Sequence, residues 1–535
     1  MGLIETLLEH VSIKTIAGFL VFAFGARIIL SPIITRAKLK RLGGKRAVAV
    51  PSWAPLGLDL VREGMAAADK HLNIEFWNDY LFKNSPHGTA ESSVAFRRII
   101  FTSHPDNIKA ILATQFSEYG KGKDFHEEWK DFLGDSIFTT DGDQWHASRQ
   151  LIRPQFTRDR VSDLECFESH MQTLFKVIAN GGALNGPDQP VNMAAANGRV
   201  VDMSEIFFRY TLDVATEFLL GNDVQSLTTV KQEFAEAFND VQRIQNMLSR
   251  GGNLRHIFPK GNFFAGLKTI NNFVNFFIEK ALVLTPQELE KTAASEKDYS
   301  FLHALAGFTR DPKVLRDQII AVLLAGRDTT ACTLSWAIYE LARHPDAVTK
   351  LRQEILDTLG PDELPTYANL KNMSYLKNVI NETLRLYPVV PFNVRRALKD
   401  TTLPTGGGPN GTDPISVLEG TPIAYSTLMM QRRSDIYPSV SEGFADIEEW
   451  SPERWTNWHP KSFEYIPFNA GPRICIGQQF ALTEMAYTLC RLFQRFESVT
   501  THMHPIDGGN PKLKSEIVLA PAQGVYVSFL EPTPV

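Results

Sequence analysis

The ten residues F-N-A-G-P-R-I-C-I-G, Phe468 to Gly477, organise the interpretation of the whole chain around one cysteine, Cys475. The Gly-Pro pair interrupts regular structure before the cysteine, and Gly477 allows a close backbone turn just after it. From Gln478 to Phe496 apolar residues recur at helical spacing. Cys475 is therefore predicted to lie at or just before a helix N-terminus.

The predicted position of Cys475 favours its thiolate form. Unpaired N–H groups and the positive end of the helix dipole lower the pKa of a thiol, and a bound metal lowers it further. Arg473, two residues earlier, adds a cation that can pair with an acidic group of a ligand. The simpler alternative is a small buried apolar side chain, which is what most free cysteines are.

The frame F-x-x-G-x-R-x-C-x-G resembles the haem-binding signature of the cytochrome P-450 family. All five fixed positions match: Phe468, Gly471, Arg473, Cys475 and Gly477. In that family the cysteine is the axial thiolate ligand of haem iron, and thiolate ligation favours O–O cleavage. The resemblance implies that Cys475 is the metal ligand of a haem b (iron protoporphyrin IX), with Phe468, Arg473 and Gly477 in the same cofactor site.

Composition is that of a globular enzyme with a substantial core: 535 residues, 44% hydrophobic and 21% charged. A net charge of −5 gives no indication of nucleic-acid binding. The four cysteines form no C-x-x-C pair, which counts against zinc ribbons, iron–sulfur clusters and a disulfide framework and fits a reducing compartment. Length alone suggests three or four domains, but the motifs must converge on one site, so a single catalytic domain is expected.

The amino-terminal region is predicted to anchor the chain in a membrane. Residues 15–34 are almost wholly apolar and just long enough for a spanning helix, although Arg27 interrupts them. The basic run that follows should remain cytoplasmic. The expected divisions are a short tail (1–14), an anchor helix (15–34), a basic and proline-containing hinge (35–60) and the catalytic domain (61–535). This arrangement predicts a single-pass protein of the endoplasmic reticulum membrane with a cytosolic catalytic domain; a cleaved signal peptide is the alternative.

W-H-A-S-R places Trp145 and Arg149 four residues apart on a predicted helix, so both side chains share one face. Alone, the pair is typical of an ordinary amphipathic helix. In the cytochrome P-450 family W-x-x-x-R lies beside a haem propionate. The resemblance therefore implies that Arg149, with Trp145, binds the cofactor.

The segment from Asp311 to His344 is predicted to form one long helix, and A-G-R-D-T-T (Ala325 to Thr330) falls at its middle. Glycine, aspartate and two threonines are poor helix formers, which suggests a local function. Alternatively, Thr329 bonds back to the i−4 carbonyl and merely bends the helix. The hexad resembles the oxygen-activation motif of the family, which implies that Asp328 is the acid and Thr329 the hydroxyl of a proton relay.

E-T-L-R and P-E-R-W supply a structural prediction. Glu382 and Arg385 lie three residues apart on one helix face, commonly a surface pair. In the family this pair joins the arginine of P-E-R-W, here Arg454, in a buried network that holds the haem-ligand loop. Arg395 falls where family members carry another propionate contact, and the adjacent Arg396 leaves that assignment ambiguous.

The four motifs occur in family order, so the resemblance implies a mainly α fold with small β-sheets and a haem between the long helix and the cysteine loop. Phenylalanines are dense between Phe234 and Phe277, where they either pack the core or line an apolar channel. The candidate substrate-pocket residues are Phe138, Leu324, Val390, Phe392 and Leu519.

Leu403 to Ile415, with the two central motifs, looks like the fungal branch that hydroxylates n-alkanes and fatty acids. The implied reaction uses O₂ and two electrons from NADPH through NADPH–cytochrome P-450 reductase, with cytochrome b5 as a further possible donor. Similar sequences also tailor other fungal lipid-like, polyketide or terpenoid products, and this alternative stays open. The exact substrate and its site of hydroxylation are not predicted.

Three other functions are alternatives to a monooxygenase. A haem-thiolate isomerase or dehydratase does not activate O₂, and retention of Asp328 and Thr329 counts against it. A membrane-bound haem sensor or carrier would show reductase-dependent NADPH consumption that no lipid stimulates. A cysteine hydrolase using Cys475 needs a base, and no orienting motif accompanies His459, the nearest histidine in sequence.

Overall fold

The structure is a computed structural model. It describes residues 18, 22, 30, 33–85, 87–94, 97–156, 164–251, 255, 258–294 and 300–532. Helices dominate and the sheets are small, so the predicted fold class is confirmed.

The α-helices show where the predictions of local structure succeed. Met203–Leu220 ends at Gly221 in the left-handed conformation, as the sequence predicts, and the helix after the cysteine runs from Gln478 to Arg495. The α-helices are Leu58–Lys70, Asn73–Glu75, Pro105–Lys109, Lys123–Leu133, Gly142–Ile152, Glu165–Asn180, Met203–Leu220, Glu233–Gly251, Gly261–Val283, Pro286–Ala294, Phe301–Phe308, Pro312–Leu341, Pro345–Leu359, Tyr367–Asn372, Ser374–Leu386, Thr427–Met430, Arg454–Asn457, Gln478–Arg495 and His504–Asp507.

Tighter and wider helical turns join these elements. The 3₁₀ turns are Pro55–Gly57, Phe116–Glu118, Arg153–Phe156, Met193–Ala196, Val440–Glu442 and Gly471–Arg473, and the π-helical turns are Phe76–Leu81 and Ala110–Thr114.

The largest sheet has six strands and both parallel and antiparallel neighbours. In spatial order its strands are Val48–Ala49, Thr89–Val94, Arg97–Thr102, Pro422–Ser426, Phe392–Ala397 and Tyr119–Gly120. Three smaller sheets pair Ser498–Thr501 with Tyr526–Leu530 and Val200–Asp202, Leu513–Ser515 with Leu519–Pro521, and Thr401–Gly407 with Asp413–Val417. The strand Arg97–Thr102 begins directly after residues 95 and 96, which lie outside the described residues.

One helix, Pro312–Leu341 (the long helix), runs through the centre of the protein. Asp311 starts it by accepting the backbone N–H groups of Lys313 and Val314, and Pro312 occupies its first turn. Almost all of its side chains beyond the first turn are buried. It packs against Met203–Leu220 and also against Gln478–Arg495 (the cysteine helix). The predicted central helix is therefore present, and it contributes to the two largest apolar cores.

The dense phenylalanines divide between core and surface. Phe234, Phe238 and Phe263 are buried in one of these cores, whereas Phe264 and Phe276 are exposed. Core packing therefore accounts for part of this set.

Most of the predicted anchor, residues 15–34, lies outside the described residues. Among the residues that are described, no helix has the length and apolar character needed to cross a bilayer. Residues 33–41 are helical.

The predicted hinge, residues 35–60, contacts the catalytic domain closely. Lys45 forms an ion pair with Asp413, and Arg46 pairs with buried Glu91. Val48–Ala49 then joins the six-stranded sheet beside Thr89–Val94.

Candidate functional site

The cysteine loop is held in a narrow geometry by its backbone. Gly471 adopts a φ of +67°, and a Cβ at this position would overlap the carbonyl oxygen of Leu112, so glycine is required here. The N–H of Cys475 donates to the carbonyl of Phe468 at 2.9 Å, which closes the loop. The cysteine helix begins three residues later, at Gln478, as the sequence predicts.

The Cys475 side chain is accessible, yet its thiol lies among enough protein atoms that desolvation dominates its ionisation. Both observations hold if the thiol faces a deep cleft. Burial raises the pKa of Cys475 above its ordinary value, while the N–H of Gly477 and the guanidinium of Arg149 oppose this rise. The backbone at the helix start therefore acts to lower this pKa, as the sequence predicts, but desolvation is the larger effect and the net shift is upward.

Arg473 leaves one buried donor without a partner. Its Nη2 donates to Asp141 Oδ1 at 2.6 Å and to the Thr140 carbonyl at 3.0 Å, whereas its Nε is buried and has no hydrogen-bond acceptor among the residues that the structure describes. Burial and the nearby Arg395 lower the pKa of Arg473 to about 10. Its guanidinium lies over the Trp145 ring, 4.6 Å from the centroid.

Trp145 and Arg149 share a face of the helix Gly142–Ile152, as predicted from their spacing. The Arg149 guanidinium lies 5.9 Å from the Trp145 ring centroid, and its Nη1 donates to the carbonyl of Ile474 at 3.0 Å. That carbonyl immediately precedes Cys475. Within the described part of the chain Arg149 forms no ion pair with a carboxylate, so its charge is available to a ligand.

Arg395 and Arg396 point to opposite sides of the strand Phe392–Ala397, as consecutive strand residues do. Arg395 is buried, donates to the Asn393 side chain at 2.7 Å, and lies near enough to Arg473 to lower the pKa of that guanidinium. Arg396 instead forms an ion pair with Asp124 at 3.3 Å. The geometry therefore favours Arg395, and not Arg396, as the residue that joins Arg473 in a cationic cluster near Cys475.

Lys121 is a further member of the cluster that the sequence analysis missed. Its Nζ lies 3.4 Å from the Asn393 side-chain oxygen, and in the described residues it has no carboxylate partner within ion-pair distance. Burial, together with Arg395 and Arg473, lowers the pKa of Lys121 well below its ordinary value. Its setting in Y-G-K-G carries no periodic or spacing signal, so only the fold identifies it.

The cationic side chains near Cys475 fit an anionic cofactor. Four cationic side chains (Lys121, Arg149, Arg395 and Arg473) gather near one carboxylate, Asp141. Arg395 is buried and the other three cations are partly buried, and an excess of positive charge removed from water is costly unless an anion compensates it. The accessible thiol, the unpaired Arg473 Nε and this charge excess together match a haem, which carries an iron for the thiolate and propionate carboxylates for the cations.

The middle of the long helix places Asp328 and Thr329 in different surroundings. Thr329 Oγ1 donates to the Ala325 carbonyl at 2.7 Å, which is the back-bonding that the alternative interpretation predicts. Asp328 is buried; its Oδ1 lies 3.4 Å from Arg327 Nη1 but makes no hydrogen bond. Burial raises the pKa of Asp328, opposed by Arg327 and Gln242. Asp328 is therefore a buried carboxyl whose raised pKa makes it a candidate proton donor.

Glu382, Arg385 and Arg454 form a fully buried network. The Glu382 carboxylate accepts from Arg385 at 2.8 and 2.9 Å and from Arg454 at 3.2 Å. The Trp455 indole also donates to it at 2.9 Å. Both guanidinium groups bond outward to backbone carbonyls of residues 431 to 449, so the network joins the helix Ser374–Leu386 to that long connection.

The candidate pocket residues differ in their surroundings. Phe138 and Val390 are partly exposed, and Leu324 is buried on the long helix. Phe392 stacks on Trp77 with ring centroids 5.0 Å apart, and Leu519 is fully buried with its N–H donating to Val389 at 3.0 Å. The structure thus brings Leu519 beside the segment that contains Val390.

Comparisons with known proteins give consistent matches. The family model described as Cytochrome P450 matches residues 82–529. The chain is 56% identical over 508 residues to "Cytochrome P450 monooxygenase pvhE" of Talaromyces variabilis, covering 94% of each chain. It is 41% identical over 449 residues to "Cytochrome P450 52A13" of Debaryomyces hansenii, covering 81% of each.

Among solved structures, the "cytochrome P450DA heme domain" matches with a TM-score of 0.71 and 20% identity. The match covers 92% of this chain and 99% of that one. At this identity the similarity supports the fold alone.

Proposed function

Because the chain belongs to the cytochrome P450 family and is therefore a monooxygenase of the oxidoreductase class, we propose that it hydroxylates C–H bonds of a hydrophobic, lipid-like substrate. The proposed substrates are n-alkanes or fatty acids, attacked at a terminal or near-terminal carbon. The observation that carries the enzymatic part is the accessible Cys475 thiol at the start of its helix, beside a cluster of cations.

The bound haem supplies the chemistry that activates O₂ and oxidises a C–H bond. We propose that Cys475 would supply a thiolate ligand to the haem iron and that Arg149, Arg395, Arg473 and Lys121 would bind the propionates. Trp145 supports two of these arginines through its ring face. Phe468 and Gly477 shape the ligand loop, since the Phe468 carbonyl closes it and Gly477 donates its N–H toward the sulfur.

Replacing Lys121 with methionine is expected to separate cofactor binding from protein stability. Without an anion the buried ammonium is unfavourable, so K121M should not destabilise the haem-free protein. With haem present, loss of one propionate partner should lower the haem-to-protein ratio severalfold. The ratio is measured after purification and after challenge with an apo-haem acceptor protein.

The matched control is Lys399→Met, which removes an exposed lysine paired with Glu118 at the surface. It should leave haem retention unchanged. Equal retention in K121M and wild type would contradict the assignment of Lys121 to the cofactor.

The proposed substrate class has two supports. The sequence resembles the fungal alkane and fatty-acid hydroxylases, and a relative named Cytochrome P450 52A13 shares 41% identity. A second candidate is tailoring of another lipid-like or polyketide product. One observation favours it: the relative that shares 56% identity is named a monooxygenase, pvhE, and does not carry the 52A designation of the relative at 41% identity.

A substrate-binding screen distinguishes these candidates. Haem difference spectra are recorded with n-alkanes, fatty acids and polyketides of graded length. Binding by alkanes or fatty acids, followed by terminal or near-terminal hydroxylation with a reductase, supports the proposal. Binding restricted to polyketides or terpenoids would transfer it to the second candidate.

We assign proton delivery to Asp328 and Thr329. Thr329 Oγ1 must release the Ala325 carbonyl before it can donate elsewhere, and the neighbouring Asp328 carboxyl is proposed to supply the replacement proton. Burial raises the pKa of Asp328 above its ordinary value, which favours the protonated form of this carboxyl more than exposure to water would.

Thr329→Ala and Asp328→Asn are therefore expected to lower the fraction of NADPH that yields product by at least about tenfold. Haem content and the carbon monoxide band should be retained. Product and NADPH are counted together, with Thr333→Ala, one turn further along the same helix, as control. Unchanged coupling in both variants would exclude the proposed relay.

For partners and location we propose NADPH–cytochrome P-450 reductase as the electron donor and the endoplasmic reticulum membrane as the site of action. The apolar residues 15–34 and the basic residues after them support membrane attachment. The reductase follows from the need for two electrons in each hydroxylation.

A further inference from the structure

A second group of ligand-type side chains lies between the helices Glu165–Asn180 and Met203–Leu220, which pack against each other. Cys166 and His170 stand four residues apart on the first helix, and Asp213 and Glu217 four apart on the second. Residues at this spacing share one helix face. Asp223 joins the group from the connection that follows the second helix. None of the five belongs to the haem site described above.

The distances within this group suit a small cation. Ligand atoms of Cys166, His170 and Glu217 all lie within 4.8 Å of one another. A tetrahedral zinc ion with bonds near 2.1 Å separates its ligand atoms by roughly 3.4 Å, so modest side-chain rotation suffices. His170 Nε2 and Glu217 Oε2 are already 2.6 Å apart. Asp213 and Asp223 form a second triplet with the same histidine, also within 4.8 Å.

The charges of the group are unbalanced. Among the charged side chains, His170 and Asp223 act on Asp213, and His170 and Glu217 act on Asp223, so one imidazole faces three carboxyls. Burial raises the pKa of Asp213 to about 7 and also raises that of Asp223. His170 is buried, whereas Cys166 and Glu217 are partly accessible. A cation therefore has both a negative environment and a route of entry.

The roles of the five residues follow from their existing bonds. Both oxygens of Asp213 accept backbone N–H groups, from Ser226 at 2.6 Å and Leu227 at 2.9 Å, so Asp213 mainly orders the connection. The candidate primary ligands are therefore the Cys166 thiol, the His170 imidazole and the Glu217 carboxylate. A thiol with an imidazole selects zinc and similar borderline cations over magnesium or calcium.

We propose that Cys166, His170 and Glu217 bind a divalent cation of the zinc class, with Asp223 or water as the fourth ligand. Binding releases the thiol proton and the proton held between His170 and Glu217 to solvent, and no redox change occurs. The bound ion links the two helices. This site is independent of the haem and of the proposed substrate.

The test uses the full-length, haem-loaded protein, in which Cys475 is already committed to iron. The protein is equilibrated with zinc, gel-filtered, and analysed for zinc and iron by atomic emission. Wild type is expected to retain one more zinc per chain than Cys166→Ala or Glu217→Gln. Glu205→Gln on the same helix as Glu217, and Cys490→Ala in the core, should retain the wild-type amount.

A second measurement needs no variant. Zinc should slow alkylation of Cys166 in the wild-type protein, followed by mass spectrometry of its peptide, and should raise the thermal midpoint of the wild-type protein. Equal zinc content in wild type and both ligand variants, or alkylation of Cys166 at the same rate with and without zinc, would overturn the proposal.

Discussion

Cys475→Ser is expected to abolish both the thiolate-type carbon monoxide band of the reduced protein and hydroxylation. Serine has nearly the size of cysteine, so the loop closed by the Phe468 carbonyl should persist. Its hydroxyl, however, remains protonated and supplies no thiolate to promote O–O cleavage. Turnover should fall below detection while the helical content stays unchanged. The measurements are the reduced carbon monoxide spectrum, product formation and far-ultraviolet circular dichroism on one preparation.

Cys490→Ala provides the matched control, because Cys490 lies on the helix that follows Cys475 but is buried in the apolar core. This variant should keep the band and the activity. A Cys475→Ser protein that still shows the thiolate-type band, with full haem content, would require another ligand and would remove the basis of the proposed function.

Glu382→Gln is expected to produce the largest loss of stability. The change leaves Arg385 and Arg454 buried without their counter-charge, although the amide can keep part of the hydrogen bonding. Removing one partner of a buried ion pair costs about 3–5 kcal/mol. Chemical unfolding followed by circular dichroism and by haem release measures the effect.

The loss should depend on pH in a defined direction. Burial raises the pKa of Glu382, but Arg385 and Arg454 lower it more, so the folded value is below the ordinary one. The carboxylate therefore contributes stability above its unfolded pKa, and this contribution disappears as pH falls through the folded pKa. The difference between wild type and E382Q should shrink on acidification.

Glu453→Gln is the control for this series. Glu453 directly precedes Arg454 in the chain but pairs with Lys350 at the surface, where an ion pair is worth about 1 kcal/mol or less. A Glu382→Gln protein no less stable than Glu453→Gln would show that the buried network does not hold this part of the fold.

Local patterns were sufficient to predict the family and much of the fold. The cysteine frame predicted the family that the comparisons confirm. The long helix was predicted to begin at Asp311, and it begins one residue later, at Pro312. Signals of this kind are local, because turn and helix preferences depend on a few neighbouring residues.

Properties set by the three-dimensional surroundings were not predictable. The helix start acts to lower the pKa of Cys475, as the sequence predicts, but the desolvation that raises this pKa depends on the whole fold. Lys121 lies hundreds of residues from Arg395 and Arg473 in the chain, and only folding brings the three together. The choice between Arg395 and Arg396 likewise required the strand's orientation.

The attachment of residues 44–50 limits where the chain can be shortened. Gly44 donates to the Ser416 hydroxyl at 3.0 Å, Arg46 pairs with a glutamate in the sheet, and Val48–Ala49 forms its edge strand. A soluble version should therefore start no later than residue 43, since a later start uncovers the open edge of Thr89–Val94 and invites aggregation.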